Sequence, residues 1–211
     1  MADKFASLLN NHRVIPVARF DGPDPALRTA ELLQSHSFGI IEITLRTDAG
    51  IESIRRVSAE FPGLVVGAGS VLAIDSMKRA RDAGASFCVA PGLDVRLLEE
   101  ARAMEFPFMP GAATPTELNA ALAYGEAVKI FPVSLLGGAE YIRAISAPFA
   151  SRKFHLVPTG GVTEGNYLDY LKLDRVISVG MSYLVDPALV AAGDFAALGE
   201  RMKRIMTDLE R

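Results

Sequence analysis

The segment AVKIFP, residues 127–132, has the composition of a short β-strand that is ended by a proline. Side chains alternate along a strand, so Lys129 shares one face with Ala127 and Phe131. In a parallel sheet both faces of such a strand are buried, and the lysine ammonium is carried into the interior. A lysine that loses its hydration is readily deprotonated, and the neutral amine is a nucleophile towards carbonyl groups. The alternative is a structural lysine in an ion pair or at the edge of a strand.

Short apolar segments of this kind recur along the chain, and each is followed by a segment of helical character. We count eight strand-then-helix units after a short N-terminal amphipathic helix at Lys4–Asn11. Strict alternation predicts an α/β fold with parallel strands, and eight units predict one (β/α)8 TIM-barrel domain over residues 1–211. An open doubly wound sheet is the alternative. The predicted strands are Val14–Ala18, Gly39–Ile43, Leu64–Ala68, Phe87–Ala90, Phe106–Met109, the Lys129 strand, Phe154–Val157 and Val176–Val179.

The composition is that of a globular protein, because 50% of the 211 residues are hydrophobic and 22% are charged. The net charge of −3 gives no sign of nucleic-acid binding, and no run approaches the roughly 20 apolar residues of a membrane span. Residues 1–11 lack the apolar core of a signal peptide, and the only cysteine, Cys88, cannot form an intrachain disulfide. We therefore expect a cytoplasmic protein. His12, His36 and His155 are far apart and show no metal-ligand spacing. We expect neither a metal nor another cofactor.

Polar residues occur at the carboxyl ends of the predicted strands, where a TIM barrel builds its active site. Glu42 lies within the second strand on the same face as Thr44, and a carboxylate near Lys129 is suited to proton transfer. A structural Glu–Lys pair is the alternative, although such a pair adds little stability by itself. Arg19 and Arg46 follow the first two strands, and their guanidinium groups suit a carboxylate or a phosphate. The alternative for each arginine is a solvated charge at the protein surface.

Two glycine-bearing segments follow the seventh and eighth predicted strands: TGG at residues 159–161 and GMS at residues 180–182. Barrels often bind phosphate after these two strands, where main-chain N–H groups face the anion. Glycine also lets an oxyanion approach the backbone closely. Neither a dinucleotide fingerprint nor a Walker motif is present in the sequence. The two segments therefore predict a phosphate site.

Six motifs, taken together, resemble the 2-keto-3-deoxy-6-phosphogluconate (KDPG) aldolase family. They are EITLRT at 42–47, VGAGSV at 66–71, APG at 90–92, PG at 110–111, VKIFP at 128–132 and PTGGV at 158–162. They occur in the family's order, and the resemblance extends from about Val14 to the final helix. It implies a class I aldolase that is a homotrimer of (β/α)8 barrels, needs no metal and acts on a phosphorylated keto-deoxy sugar acid.

The resemblance also implies roles for individual residues. Lys129 matches the Schiff-base lysine, and Glu42 matches the acid–base catalyst. The substrate-binding residues that we predict, several of which match the family's pyruvate pocket, are Arg19, Thr44, Arg46, Ser70, Pro91, Phe131 and Thr159. The predicted phosphate-binding residues are Gly160, Gly161, Gly180, Met181 and Ser182. Ser70 stands where the family commonly has threonine, and Met181 stands where it commonly has glycine.

The residues leave the substrate open among close relatives. The segment that follows Lys129, residues 130–134, resembles the branch that acts on the galactonate epimer, whereas residues 44–46 resemble the gluconate branch. We predict cleavage of KDPG to pyruvate and glyceraldehyde 3-phosphate. The alternatives are aldolases for the galactonate epimer or for 4-hydroxy-2-oxoglutarate, a phosphosugar isomerase or epimerase on the same barrel, and a non-catalytic protein that binds a phosphorylated ligand.

Overall fold

The computed structural model of the protein describes residues 4–9 and 11–210. Outside this range lie residues 1–3, which belong to the segment where the sequence predicts no signal peptide, and Asn10, which belongs to the predicted first helix. The strands are β1 (Val14–Ala18), β2 (Ile40–Thr44), β3 (Val65–Gly69), β4 (Phe87–Val89), β5 (Phe108–Met109), β6 (Gly111–Ala112), β7 (Ala127–Ile130), β8 (His155–Pro158) and β9 (Val179–Met181). The α-helices are α1 (Lys4–Leu9), α2 (Pro23–Ser35), α3 (Gly50–Glu60), α4 (Ile74–Asp82), α5 (Val95–Ala103), α6 (Pro115–Ala121), α7 (Gly138–Ser146), α8 (Tyr167–Leu171), α9 (Pro187–Ala192) and α10 (Phe195–Leu209). Two 3₁₀ helices span Ala147–Phe149 and Ser182–Val185.

The predicted alternation of strands and helices is confirmed, and individual elements differ from their predicted extent. The fifth predicted strand is two short strands, β5 and β6, because Pro110 between them has no N–H to donate to a sheet. The final predicted helix is divided into α9 and α10 at Gly193, whose φ of 69° is left-handed. The eighth strand begins at Val179, and the predicted strand start at Val176 contributes only an isolated bridge to Leu156.

Helix ends follow the sequence signals where those signals are local. Thr114 caps α6, and its hydroxyl accepts a hydrogen bond from the N–H of Glu117, as the capping-box spacing predicts. The Glu117 carboxylate in turn accepts from the N–H of Ala113 at 2.8 Å. Asp24 followed by Pro25 is a pattern that predicts an N-cap at Asp24, but this prediction is wrong, because α2 begins at Pro23 and Asp24 lies inside its first turn.

The chain forms two compact units. The first unit contains the residues up to Val14 together with Val89–Met181, and the second contains Ile15–Cys88 together with the residues after Met181. Across the whole described range, no helix has both the length and the apolar character that a membrane crossing requires.

In the second unit, parallel pairing joins β1 to β2, β2 to β3 and β3 to Phe87 and Cys88 of β4. Glu42 of β2 lies in register with Val17 of β1 and with Gly67 of β3. All five residues of β2 are buried, as expected for a central strand of a parallel sheet. The pairing therefore places a carboxylate in the middle of a buried strand.

In the first unit, β6, β7 and β8 form a parallel ladder. Lys129 of β7 is in register with Gly111 of β6 and with Val157 of β8. A bridge between Thr159 and Gly180 extends the pairing beyond the end of β8. The ladder brings the segments that follow β7 and β8 to its carboxyl end, with Gly180 beside Thr159.

Candidate active site

Lys129 lies in the middle of a strand whose four residues are all buried, and only 5% of its surface is exposed. Its main chain is held in the ladder, and its N–H donates to the carbonyl oxygen of Pro110 at 2.9 Å. Its Nζ atom lies 5.5 Å from the centre of the Phe131 ring, within the range of a cation–π contact. The Lys129 side chain is therefore held in the interior, as the sequence predicts.

Two of the proline–glycine motifs meet beside this lysine. Gly111 lies opposite Lys129, and its N–H donates to the carbonyl oxygen of Gly92 at 3.2 Å. A Cβ atom at Gly111 would lie 2.3 Å from the carbonyl oxygen of Pro91, so only glycine allows the two main chains to approach this closely. The fold of the first unit thus places the predicted substrate-binding residue Pro91 beside the strand that precedes β7.

The TGG segment at residues 159–161 folds back against the residues that follow β7. The carbonyl oxygens of Thr159 and Gly160 accept hydrogen bonds from the N–H groups of Val133 and Ser134, at 2.8 and 3.1 Å. Gly160 and Gly161 have φ angles of 91° and 79°, which side chains other than glycine rarely adopt. The backbone conformation therefore requires glycine at both positions of this segment that are predicted to bind phosphate.

Thr159 and Gly180 fit against each other at the carboxyl ends of β8 and β9. Thr159 is buried, and a Cβ atom at Gly180 would lie 2.4 Å from its hydroxyl oxygen. Met181 has no exposed surface, so its side chain is packed in the interior. Ser182, the remaining predicted phosphate-binding residue, is exposed in the second unit at the start of a 3₁₀ helix.

No helix begins directly after the TGG segment. The sequence predicts a helix from Thr163, but α8 begins only at Tyr167. The intervening turn is held by Asn166, whose side-chain oxygen accepts from the N–H of Thr163 at 2.8 Å and whose amide donates to the carbonyl oxygen of Gly161 at 3.0 Å. A helix dipole is therefore not placed at this segment, and its available donors are main-chain N–H groups.

Glu42 is buried in the second unit, with 2% of its surface exposed. Gly69 makes space for it, because a Cβ atom at that position would lie 2.1 Å from Glu42 Oε1. Burial, and then the negative charge of Glu42, raise the pKa of the Cys88 thiol to about 12. Thr44, on the same strand, is also buried and donates its hydroxyl to the carbonyl oxygen of Ala18 at 3.0 Å. The second unit thus holds a carboxylate away from solvent.

Arg46 and Ser70, at the ends of neighbouring strands, are in direct contact. The Nε atom of Arg46 donates to the hydroxyl of Ser70 at 2.9 Å, and Ser70 has a φ of 57°. Both predicted substrate-binding residues are therefore brought together. Arg19 is not joined to them by any hydrogen bond within the described residues, since its guanidinium forms an exposed ion pair with Asp21 at 3.1 Å. This pair fits the surface-charge alternative for Arg19.

Three further residues that shape these sites, Gly69, Ser134 and Asn166, were not predicted from the sequence. Gly69 lies within the quoted VGAGSV motif, but its steric role depends on where the Glu42 side chain goes. Ser134 and Asn166 both donate to the carbonyl oxygen of Gly161, at 2.8 and 3.0 Å. The only sequence signal for Asn166 is a Thr-x-x-Asn spacing typical of a side-chain-stabilised turn. Over the described residues, no group of three or more His, Cys, Asp or Glu side chains is arranged to hold a metal ion.

A family profile described as KDPG and KHG aldolase matches residues 5–201. The chain belongs to this aldolase family. It is 39% identical over 199 residues to a 2-dehydro-3-deoxy-phosphogluconate aldolase of Pseudomonas aeruginosa, covering 94% of this chain and 89% of the relative. It is 36% identical over 190 residues to the KHG/KDPG aldolase of Escherichia coli, covering 90% and 88%. The protein is therefore a carbon–carbon lyase.

Solved structures agree with this assignment. A KDPG aldolase of Legionella pneumophila superimposes with a TM-score of 0.90 and 31% identity, over 95% of this chain and 97% of that one. In that structure pyruvate is captured as a covalent carbinolamine intermediate. A tryptophan synthase of M. tuberculosis, 14% identical with a TM-score of 0.68, shares the fold alone. The predicted α/β fold of the TIM-barrel class is confirmed by these matches.

Proposed function

We propose that this aldolase cleaves KDPG to pyruvate and glyceraldehyde 3-phosphate, with Lys129 as the Schiff-base amine and Glu42 as the acid–base catalyst. The observation that carries the proposal is the burial of Lys129 in the middle of an apolar strand. The strand holds the amine away from bulk water, and a neutral amine in such a place suits nucleophilic attack on a ketone.

The first half of the reaction joins the enzyme to the substrate. The neutral Lys129 Nζ attacks the C2 keto carbon, and the carbonyl oxygen takes up a proton to give a carbinolamine. The carbinolamine loses water, with Glu42 delivering the proton that the departing hydroxyl needs, and a protonated imine remains. The imine is an electron sink adjacent to C3.

The second half breaks the carbon–carbon bond. Glu42 removes the proton of the C4 hydroxyl, the C3–C4 electron pair moves into the imine, and glyceraldehyde 3-phosphate departs as the aldehyde. The resulting enamine is protonated at C3, and water hydrolyses the imine to release pyruvate and free Lys129. No step requires a metal or a redox cofactor.

The proposal also assigns residues to the two charged ends of the substrate, the C1 carboxylate and the phosphate. Arg46, held by Ser70, is proposed to bind the C1 carboxylate with a charge-assisted hydrogen bond. Thr44, Pro91, Phe131 and Thr159 complete the proposed substrate pocket, and Arg19 supplies a second cation. The proposed phosphate-binding residues are Gly160, Gly161, Gly180, Met181 and Ser182.

The relatives support the choice of substrate class. A structure of the aldolase of Zymomonas mobilis ZM4, 29% identical with a TM-score of 0.86, contains 3-phosphoglycerate. The P. aeruginosa relative is named for phosphogluconate, whereas the E. coli relative is named for both KHG and KDPG. We therefore keep 4-hydroxy-2-oxoglutarate and the galactonate epimer as the alternative substrates.

Reductive trapping tests the lysine assignment. Borohydride added with pyruvate should attach one pyruvate-derived group to the peptide that contains Lys129 and abolish turnover. Lys129→Ala should lose both trapping and activity, while Lys153→Ala, which removes an exposed lysine paired with Glu126, should retain both. Labelling at another lysine, or full activity of Lys129→Ala, would contradict the proposal. An isomerase or epimerase needs no imine and would not be trapped.

Comparison of kcat/KM for the two epimeric phospho-sugar acids and for 4-hydroxy-2-oxoglutarate identifies the preferred substrate. A higher value for 4-hydroxy-2-oxoglutarate than for either phosphorylated compound would overturn the KDPG assignment. The homotrimer, the single domain and the cytoplasmic location stay predictions, and light scattering of the purified protein tests the first of them.

A further inference from the structure

Two polar side chains and one main-chain N–H hold the carbonyl groups of the glycine segment. The main-chain N–H of Ser134 donates to the carbonyl oxygen of Gly160 at 3.1 Å. The Ser134 hydroxyl donates to the carbonyl oxygen of Gly161 at 2.8 Å. Asn166 donates a second hydrogen bond to the Gly161 carbonyl at 3.0 Å. Ser134 therefore holds two successive peptide groups in the same orientation.

The orientation of a carbonyl fixes the direction of the next N–H. A trans peptide is planar, and its C=O and N–H point in opposite directions. Because the carbonyls of Gly160 and Gly161 both point towards Ser134, the N–H groups of Gly161 and Val162 both point away from it. Within residues 4–9 and 11–210, no atom accepts a hydrogen bond from either N–H group. Two adjacent donors are thus left facing the same way.

We propose that Ser134 and Asn166 are positioning residues, which aim the Gly161 and Val162 N–H groups at the phosphate of the substrate. Successive main-chain N–H groups held in one direction form an anion-binding concavity. The positive φ angles of Gly160 and Gly161 produce the turn, and the two side chains keep it in place without touching the anion. The inference rests on the proposed function for the identity of the anion, but not for the geometry of the two donors.

Direct phosphate binding separates this inference from the proposed function. Inorganic phosphate added to ¹⁵N-labelled protein should move the amide resonances of Gly161 and Val162 and leave those of Gly63 and Gly193 in place. Ser134→Ala and Asn166→Ala should each weaken phosphate binding about twofold to tenfold, the effect of one neutral hydrogen bond. The double variant should weaken it by about tenfold or more, because the Gly161 carbonyl then has neither side-chain donor. Ser134→Thr, which keeps the hydroxyl, should bind phosphate as the wild type does.

The matched control is Ser76→Ala, which removes an exposed hydroxyl that also donates to a main-chain carbonyl at 2.8 Å. It should bind phosphate normally. In turnover assays the double variant should raise KM for KDPG about tenfold and change kcat/KM for 4-hydroxy-2-oxoglutarate less than twofold. Unmoved Gly161 and Val162 amides, or a double variant that binds phosphate like the wild type, would overturn the inference. A third outcome separates the two proposals. If phosphate shifted the Gly161 and Val162 amides and the double variant bound phosphate weakly, but the enzyme preferred 4-hydroxy-2-oxoglutarate, the KDPG assignment would be wrong and the positioning role of Ser134 and Asn166 would stand.

Discussion

Replacing Gly69 by alanine tests whether the position of the Glu42 carboxylate sets the rate of the aldolase. The added Cβ would lie 2.1 Å from Glu42 Oε1 and 2.7 Å from Cδ, whereas ordinary contacts begin at 3.4 Å. Gly69 has no left-handed φ, so alanine introduces no backbone strain there. The carboxylate must therefore move to accommodate the new methyl group.

The required displacement gives the expected size of the effect. Moving Oε1 from 2.1 to 3.4 Å from the new Cβ shifts the carboxylate by about 1 Å. Misplacement of a reacting group by about 1 Å can reduce the rate about 10²-fold. Removing the acid–base function with Glu42→Gln should cost about 10²–10⁴-fold in kcat. We therefore expect Gly69→Ala to lose about 10²-fold in kcat, near the lower bound for Glu42→Gln.

Two other glycines provide matched controls for Gly69→Ala. In Gly67→Ala, two positions earlier on β3, the new Cβ would lie 2.1 Å from the Phe87 ring and not from a carboxylate. This variant should lose about 1–3 kcal/mol of stability by overpacking and keep most of its kcat at a temperature where it is folded. Gly63→Ala makes only an ordinary contact at 3.4 Å and should behave as the wild type does.

The assay measures pyruvate release at saturating KDPG, with circular dichroism to verify that each variant is folded. A folded Gly69→Ala variant with kcat within threefold of the wild type would refute the reasoning. It would mean either that the carboxylate moves without consequence or that Glu42 does not transfer the rate-limiting proton.

Gly161→Val combines a left-handed φ of 79° with a new Cβ 2.4 Å from Ser134 Oγ, so KM for KDPG should rise by about tenfold or more, the cost of losing more than one hydrogen bond. Gly193→Val is the control, because Gly193 shares the positive φ but has no atom within 4 Å of the new Cβ, and KM for KDPG should stay unchanged in this variant. If Gly161→Val raised KM for 4-hydroxy-2-oxoglutarate as much as KM for KDPG, the phosphate would bind elsewhere. The pKa of Cys88 is raised from 9.0 to about 12, first by burial and then by Glu42, so between these values the unfolded thiol ionises while the folded one stays protonated. Stability should therefore fall as pH rises above 9.0, by about 1.4 kcal/mol per pH unit from this group. Urea unfolding at pH 8 to 10.5 should show a shallower loss for Cys88→Ala, and equal slopes would contradict the assignment.

Local signals in the sequence predict individual elements well. The bounds of β1 and the Thr114–Glu117 capping box are confirmed, because each depends only on residues next to it in the chain. The apolar segments around Lys129 and Glu42 predict buried strands, and both strands are fully buried. By contrast, the predicted start of α8 at Thr163 is wrong, because the Asn166 side chain forms a turn that competes with the helix, and α8 begins at Tyr167.

The sequence by itself determined the alternation of strands and helices, the two ionisable residues inside apolar strands, and the family to which the chain belongs. These properties depend on residue type and spacing along the chain. Only the tertiary structure decided which contacts each residue makes: the space that Gly69 leaves for Glu42, the bond between Arg46 and Ser70, and the hold of Ser134 and Asn166 on Gly161. Except for the Asn166–Gly161 contact, which lies within the loop between β8 and α8, these contacts join residues on different strands or loops. Their distances follow from strand register and backbone direction, which residue spacing in the sequence does not specify.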